Sequence, residues 1–253
     1  MHSTALIHSN AELGNNVSIG PYSIVEEGVQ IGDDTVVGNY TTIKNGTSIG
    51  KQCNIFHNCS IGEIPQDLKF KGEETQVEIG DNVIIRESVT INRGTVERGK
   101  TSIGNNVLLM ATVHIAHDCI IEDNVIMSNL TTLGGHVTIE EWAVLGGCVL
   151  VHQFTTIGAH AFVGGGFRTV QDVPPFILVA GEPLKFKGLN KIGLKRRGFN
   201  DQTIASIKKA YQMIYKSKLS RKESVELLRN DMNNIPEVMQ VVEFIESSDR
   251  GII

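Results

Sequence analysis

An apolar residue recurs at almost every sixth position of this chain from Met1 to Val163, and no other feature constrains its fold as strongly. Only Asp67, Glu73 and Glu97 break the series. An α-helix repeats its apolar face at about 3.6 residues and an amphipathic strand at about 2, so a period of six fits neither. The period is typical of a β-helix, in which each hexapeptide forms one short parallel strand and a bend, and three hexapeptides form one coil.

The hexapeptide series ends near residue 175, where helical patterns replace it. We therefore expect a β-helix over residues 1–175, with external loops near 63–78 and 94–100, where the series is broken. A connecting segment and a C-terminal helical domain should follow over residues 176–253. Capping signals at Asn200 and at Ser220 with Glu223, and Pro236 at a helix start, predict three helices that brace the last coil.

Charge and composition exclude several classes of function. The formal net charge of -5 gives no reason to expect a nucleic acid partner. The N-terminus lacks the pattern of a signal peptide, and no segment approaches the roughly 20 apolar residues of a membrane span, so we expect a cytoplasmic protein. The four cysteines, which show no metal-ligand spacing, are interpreted as reduced thiols in the core: Cys53, Cys59, Cys119 and Cys148.

Residues 18 apart should stack on adjacent coils, about 4.8 Å from each other. This spacing predicts that His117, His136 and His152 converge, and it places Gly135 directly above His117. Imidazole near neutral pH can take a hydroxyl proton while a neighbouring carboxylate fixes its tautomer, so His117 with Asp118 is the preferred general-base pair. Neighbouring strand residues face opposite ways, and the pairing therefore requires a bend at this point.

Two other interpretations of the histidines stay open at this stage. They could be polar residues of the surface or of a subunit interface. Alternatively, His114, His117 and His136 could supply three imidazoles to a zinc ion with a fourth position open. Because the preferred general-base chemistry requires neither a metal nor another cofactor, we predict none.

Longer motifs go beyond the repeat and carry a specific resemblance. They are Gly62-Glu63 with Gln66 to Lys69, Ile85 to Ile91, His114 to Cys119, Gly134 to Val137, Val151 to Phe154, and Gly193 to Phe199. Together they resemble the UDP-N-acetylglucosamine O-acyltransferases that begin lipid A synthesis in Gram-negative bacteria, over nearly the whole chain. The resemblance implies that the β-helix is left-handed, which periodicity alone cannot show.

The resemblance also implies a role for individual residues. His117 matches the catalytic base, Asp118 its partner, and the backbone N–H of Gly135 the donor to the oxyanion. The other matching positions contact the substrates: Asp67 and Lys69 in a closing loop; His114, His136, His152 and Gln153 in the cleft; Gly165 at the end of the acyl chain; and Asn190, Arg196 and Arg197 near the nucleotide.

The activity implied is transfer of a 3-hydroxyacyl chain from acyl carrier protein to the 3-hydroxyl of UDP-N-acetylglucosamine. The site would lie between the subunits of a homotrimer. Two positions depart from the family pattern, Asn92 where histidine is common and Ile192 where an acidic residue is found. N-acylation of a 3-amino sugar nucleotide by the same site, a zinc-dependent enzyme and a purely structural hexapeptide protein remain as alternatives.

Overall fold

The computed structural model describes all residues, 1–253, and its first two thirds consist of very short strands. The strands are β1 (Leu6–Ile7), β2 (Glu12–Leu13), β3 (Ser18–Ile19), β4 (Ile24–Val25), β5 (Gln30–Ile31), β6 (Val36–Val37), β7 (Thr42–Ile43), β8 (Thr47–Ile49), β9 (Asn54–Ile55), β10 (Ser60–Glu63), β11 (Gln76–Ile79), β12 (Ile84–Ile85), β13 (Thr90–Asn92), β14 (Lys100–Ile103), β15 (Leu108–Leu109), β16 (His114–Ile115), β17 (Ile120–Ile121), β18 (Ile126–Met127), β19 (Thr132–Leu133), β20 (Thr138–Ile139), β21 (Val144–Leu145), β22 (Leu150–Val151), β23 (Thr156–Ile157), β24 (Phe162–Val163), β25 (Arg168–Thr169), β26 (Ile177–Ala180) and β27 (Lys185–Leu189).

These strands form three sheets: sheets 1 and 2 contain every third strand, and sheet 3 follows the same pattern to β24 and then adds β26 and β27. Sheet 1 has the order β1-β4-β7-β10-β13-β16-β19-β22-β25, sheet 2 runs from β2 to β23, and sheet 3 from β3 to β27. Pairing is parallel except between β26 and β27. In the register of sheet 1, Ile115 lies beside Leu133 and Leu133 beside Val151, which confirms the predicted coil of 18 residues.

The alternation within each strand explains the six-residue series. In β16, for example, His114 faces outward and is partly exposed, whereas Ile115 faces the interior of the coil and is fully buried. Cys53, Cys59 and Cys119 fill interior positions as predicted. The prediction is wrong for Cys148, which is exposed, because it occupies a bend with a φ of 60° rather than an inward position.

Two excursions leave the coil without disturbing its register. The long excursion, residues 64–75, separates β10 from β11, and the short excursion, residues 93–99, separates β13 from β14. Across them Ile61 pairs with Ile91 and Ile91 with Ile115, so the two coils are twelve and six residues longer than the others. Both insertions are multiples of six, and the series therefore resumes in phase.

The chain after the coils is helical. The helices are α1 (Lys191–Arg196), α2 (Asp201–Lys216), α3 (Arg221–Asp231) and α4 (Pro236–Ser247). The side chain of Asn200 caps α2 and Ser220 forms a capping box with Glu223, which confirms the predicted helix starts. The Tyr211 hydroxyl donates to the backbone oxygen of Pro175 at 2.6 Å, joining α2 to the last coil.

Helix α1 was not foreseen, because it has only six residues and contains Gly193. Sheet 3 continues beyond β24 through the parallel strand β26 and the antiparallel strand β27, and so extends to Leu189. The division of the chain into two domains near residue 175 stays a prediction. None of the four helices is long and apolar enough to cross a membrane.

Candidate active site

The bends between strands stack into three corners that run along the coil. The first corner, between sheets 1 and 2, contains residues 116–118, 134–136 and 152–154. The second corner, between sheets 2 and 3, contains residues 140–142 and 158–160, and the third, between sheets 3 and 1, contains 146–148 and 164–166. The last residue of each complete bend adopts a left-handed backbone conformation, with a φ near 60° in Asp118 and His136.

The first corner holds the predicted base and its carboxylate in direct contact. Nδ1 of His117 lies 2.8 Å from Oδ2 of Asp118, and the left-handed conformation of Asp118 supplies the bend that this pairing required. A proton on Nδ1 donates to the carboxylate, so the lone pair of the neutral imidazole is on Nε2. The His117 side chain is 14% exposed and that of Asp118 is 0% exposed, so only the imidazole can meet a substrate.

Asp118 is buried yet well supplied with hydrogen-bond donors. Its Oδ1 accepts from the backbone N–H of Thr95 at 2.9 Å and its Oδ2 from the Thr95 hydroxyl at 2.7 Å. Burial alone would raise the pKa of this carboxyl, but the hydrogen bonds from His117 and Thr95 outweigh it and hold the pKa below its usual value. Asp118 is therefore ionised at neutral pH and can stabilise an imidazolium.

Gly135 lies against the face of His117, as the stacking argument predicted. A Cβ at Gly135 would lie 2.6 Å from Cε1 and 2.7 Å from Nε2 of His117, so no side chain fits there while the imidazole keeps its place. The Gly135 N–H donates no hydrogen bond within the chain, whereas the N–H groups of Asn105 and Glu141, at the same position of other bends, donate to carboxylates. A free N–H next to a general base is a suitable donor to an oxyanion.

His136 occupies the next coil of the same corner. Its Nε2 lies 3.3 Å from Oε2 of Glu97 and 3.5 Å from Oδ2 of Asp118, and its ring stacks on Phe154 with 4.5 Å between centroids. The rings of His117 and His136 meet edge to face at 5.2 Å. Burial lowers the pKa of His136 although both carboxylates oppose that shift. We therefore expect a neutral His136 at neutral pH.

The other histidines of sheet 1 and the first corner make fewer contacts with the pair. His152 and Gln153 are exposed, and Nδ1 of His152 lies 3.1 Å from the backbone oxygen of Gln153. His114 lies on β16 with its Nδ1 2.7 Å from the Thr90 hydroxyl, and burial lowers its pKa. His152 and Gln153 are accessible to a ligand at the first corner.

The residues predicted to lie near the nucleotide are at the second corner. Asn190 is buried; it donates from Nδ2 to the backbone oxygen of His160 at 3.0 Å and accepts from Gly193 as the N-cap of α1. Nη1 of Arg197 lies 3.2 Å from Nδ1 of His160, and its guanidinium stacks over Trp142 at 5.0 Å. Burial and the charge of Arg197 lower the pKa of His160 to about 4, so its neutral ring accepts that hydrogen bond.

Arg196 is exposed beside this cluster, and its side chain makes no hydrogen bond within the chain. Gly165 lies at the third corner, where a Cβ would meet the backbone oxygen of Gly147 at 3.0 Å. Apart from His114 on β16 and the two residues of the long excursion, the predicted residues thus occupy three corners of one prism, and a single chain does not bring them together.

Asp67 and Lys69 belong to the long excursion, where Oδ1 of Asp67 accepts from the N–H of Lys69 at 2.9 Å. The base of this excursion is held by Asn92, which is buried and donates from Nδ2 to the backbone oxygen of Ile64 at 3.0 Å. Ile192, the second departure from the family pattern, is 69% exposed. It therefore leaves the packing of α1 intact while presenting no charge.

A zinc site of the predicted composition is not assembled. The ligand atoms of His117, Asp118 and His136 lie within 4.8 Å of one another, but His114 is not among them and is hydrogen-bonded to Thr90. The carboxylate in that group already accepts three hydrogen bonds and is inaccessible. The donor set therefore fits a hydrogen-bonded pair better than a metal centre, and the zinc alternative is not favoured.

Sequence reasoning missed two sets of residues that shape these corners. Thr95, Glu97 and Arg98 contact the first corner from the short excursion, where the 18-residue spacing does not apply. Trp142 and His160 form part of the second corner with rings 6.3 Å apart, and they are 18 residues apart in sequence. The same spacing could have identified this second set.

Comparison with known protein families agrees with both parts of this architecture. A family model described as bacterial transferase hexapeptide (six repeats) matches residues 10–45 and 100–135. A second, described as UDP N-acetylglucosamine O-acyltransferase, domain 2, matches residues 172–253. The hexapeptide coil and the helical region therefore each match a family model by themselves.

Whole-chain relatives are similar from end to end. The acyl-[acyl-carrier-protein]–UDP-N-acetylglucosamine O-acyltransferase of Aquifex aeolicus is 54% identical, covering 100% of this chain and 97% of its own. The corresponding protein of Thermodesulfovibrio yellowstonii is 49% identical and is covered over 98% of its length.

A solved structure extends the likeness to the fold. The crystal structure of a UDP-N-acetylglucosamine acyltransferase from Bacteroides fragilis superposes with a TM-score of 0.98 at 43% identity, covering 100% of this chain and 99% of that one. This likeness confirms the predicted left-handed parallel β-helix with a C-terminal helical region. The chain belongs to the family of acyl-[acyl-carrier-protein]–UDP-N-acetylglucosamine O-acyltransferases.

Proposed function

We propose that this protein transfers a 3-hydroxyacyl chain from acyl carrier protein to the 3-hydroxyl of UDP-N-acetylglucosamine, the first step of lipid A synthesis. One observation supports this chemistry most directly: the His117–Asp118 pair faces a free backbone N–H at Gly135. Acyl transfer requires a base for the attacking hydroxyl and a donor for the oxyanion, and this corner contains both.

In the proposed reaction, Nε2 of His117 takes the proton of the sugar 3-hydroxyl while that oxygen attacks the carbonyl carbon of the acyl thioester. The carbonyl oxygen becomes an oxyanion and accepts from the Gly135 N–H. Collapse of the tetrahedral intermediate breaks the carbon–sulfur bond, and the proton on His117 passes to the departing thiolate of the carrier. Asp118 stays ionised throughout and stabilises the transient imidazolium.

We further propose that the active unit is a homotrimer with its site between neighbouring chains. Residues predicted to bind the acyl donor and the nucleotide sugar lie at three corners of the prism, so a single site that uses all of them requires more than one chain. Sheet 3 also presents outward a row of large apolar side chains, a surface that favours side-by-side packing: Ile84, Leu108, Ile126, Val144 and Phe162. A cytoplasmic location remains the expectation from sequence.

The test of the activity is product formation from UDP-N-acetylglucosamine and a panel of 3-hydroxyacyl carrier proteins of different chain length, in buffer treated with a chelator. We expect acylated nucleotide sugar at the same rate with and without the chelator. The mass of the protein in solution, measured by light scattering, should be three times 27.6 kDa. A folded trimer that acylates only the 3-amino sugar nucleotide would replace this proposal with N-acylation, which the comparisons do not favour.

Gly165 supplies a prediction about chain length. Replacing Gly165 by Met adds a long side chain at the third corner, where the Cβ has room once the Gly147 backbone oxygen yields by a few tenths of an ångström. If the acyl chain ends there, Gly165→Met should shift the preferred donor to a shorter acyl chain, with Gly165→Ala causing a smaller shift. Competition between two donors in one reaction measures the preference, and an unchanged ratio in both variants would place the end of the chain elsewhere.

A further inference from the structure

The short excursion, residues 93–99, reaches the buried side of the candidate pair. Three of its residues contact the first corner, and each makes a different kind of contact. Thr95 donates twice to the Asp118 carboxylate, Arg98 donates from Nη1 to the Asp118 backbone oxygen at 2.8 Å, and Glu97 lies 3.3 Å from Nε2 of His136. Apart from Thr95, only His117 hydrogen-bonds the Asp118 carboxylate, while Nε2 of His136 lies 3.5 Å from Oδ2 without a hydrogen bond.

Hydrogen bonds within the short excursion and a close contact between its two ends hold its conformation. The N–H of Gly99 donates to the backbone oxygen of Thr95 at 2.7 Å, and the N–H of Glu97 to the Thr95 hydroxyl at 3.3 Å. The backbones of Gly94 and Lys100 lie so close together that a Cβ at Gly94 would overlap the backbone of Lys100. Thr95 itself is 7% exposed. The Thr95 hydroxyl oxygen therefore accepts a hydrogen bond from the Glu97 N–H, and its proton is donated to the Asp118 carboxylate.

We infer that the short excursion is a positioning element for the proposed base, with Thr95 as the positioning residue. The two donors of Thr95 fix both oxygens of Asp118, and that orientation points Oδ2 at Nδ1 of His117. Without the hydroxyl, Oδ2 keeps only its hydrogen bond with His117, and the buried carboxylate is less well stabilised in its ionised form. The inference rests on the proposed function, because it concerns the pair that carries out the reaction.

The variant Thr95→Val tests it, since valine keeps the shape and the backbone N–H and replaces the hydroxyl, which bonds Asp118 and the Glu97 N–H, with a methyl group. Loss of a hydrogen bond to a charged group should lower kcat by about ten- to a hundredfold, with KM for both substrates nearly unchanged. Thr95→Ser restores the hydroxyl and should recover most of the rate. Thr203→Val is the matched control in α2, where the threonine hydroxyl makes no hydrogen bond, and should leave kcat unchanged.

The pH profile separates positioning from a merely structural role. The groups facing Asp118 are His117, His136 and Arg98, with Glu97 beyond His136. Removing a donor increases the proton affinity of the coupled carboxylate, so the acid limb of kcat/KM in Thr95→Val should move to higher pH. A structural role would lower stability without moving that limb. Unchanged kcat and an unchanged acid limb in folded Thr95→Val would overturn the inference.

A second variant, Arg98→Met, tests the short excursion if Thr95→Val does not fold. Arg98→Met removes a donor from an exposed side chain and should reduce kcat about two- to tenfold.

If the wild type forms no product, the proposed function fails while the positioning can still be tested. In nitrogen-labelled protein the Nδ1-bound proton of His117 should give a downfield signal that shifts in Thr95→Val and not in Thr203→Val; an unshifted signal contradicts the inference.

Discussion

Replacing His117 by alanine is expected to lower turnover by about 10²- to 10⁴-fold, the usual contribution of a general base. The imidazole is the partly exposed member of the pair, and Asp118 is inaccessible to a substrate, so Asp118 cannot itself take over the proton transfer. Steady-state rates with saturating donor and acceptor measure the effect. The fall should appear in kcat rather than in KM alone, because proton transfer belongs to the transition state.

The matched control is His8→Ala. His8 lies at the start of the same corner, five strand positions along sheet 1 from β16, which is about 24 Å, and it is exposed. We expect wild-type turnover from this variant. Circular dichroism and the melting temperature of His117→Ala should show that the coil is intact, and a folded His117→Ala protein with full turnover would disprove the role of His117 as base.

Adding one methyl group at Gly135 is expected to reduce turnover by about 10²-fold. The new Cβ would overlap the His117 ring, so the imidazole must move away from the position at which it meets the substrate hydroxyl. A displacement of about 1 Å in a reacting group can cost 10²-fold. The backbone N–H of residue 135 is retained in this variant, so the loss in kcat of Gly135→Ala does not come from loss of the oxyanion donor.

A double-mutant cycle separates this effect from a general loss of stability. Without the imidazole the alanine Cβ has space, so Gly135→Ala should destabilise the wild type and have little effect in the His117→Ala background. Thermal unfolding of the four proteins measures both differences. Equal destabilisation in the two backgrounds would show that the alanine is excluded by the backbone and not by His117.

The regularity of the coil made much of the site predictable. Because every bend advances the chain by six residues, the register that pairs Ile115 with Leu133 also places Gly135 above His117. Both excursions preserve the phase of the six-residue series, because their extra lengths are multiples of six. A period set by the backbone geometry of a repeat can be extended over many coils, and for this reason a spacing in the sequence became a contact in space.

The contacts of the excursions could not be predicted in this way. Thr95 lies 23 residues before Asp118, a separation that belongs to no multiple of the coil, and only the path of the short excursion brings its hydroxyl to the carboxylate. The spacing in the sequence does not predict the contacts of Arg197 either. It depends on how β26, β27 and α1 return over the last coil and place the guanidinium on Trp142 and His160.

The sequence by itself determined the β-helix, its 18-residue coil, the helix starts and the stacking of His117, Gly135 and Gln153, because these follow from local periodicity and capping. Only the tertiary structure decided which donors hold Asp118, that Asn190 and Arg197 lie at a different corner from His117, and that Gly165 lies at a third. The physical reason is that a repeat fixes distances along its own axis, whereas segments that leave the repeat take their positions from packing against residues far away in the chain.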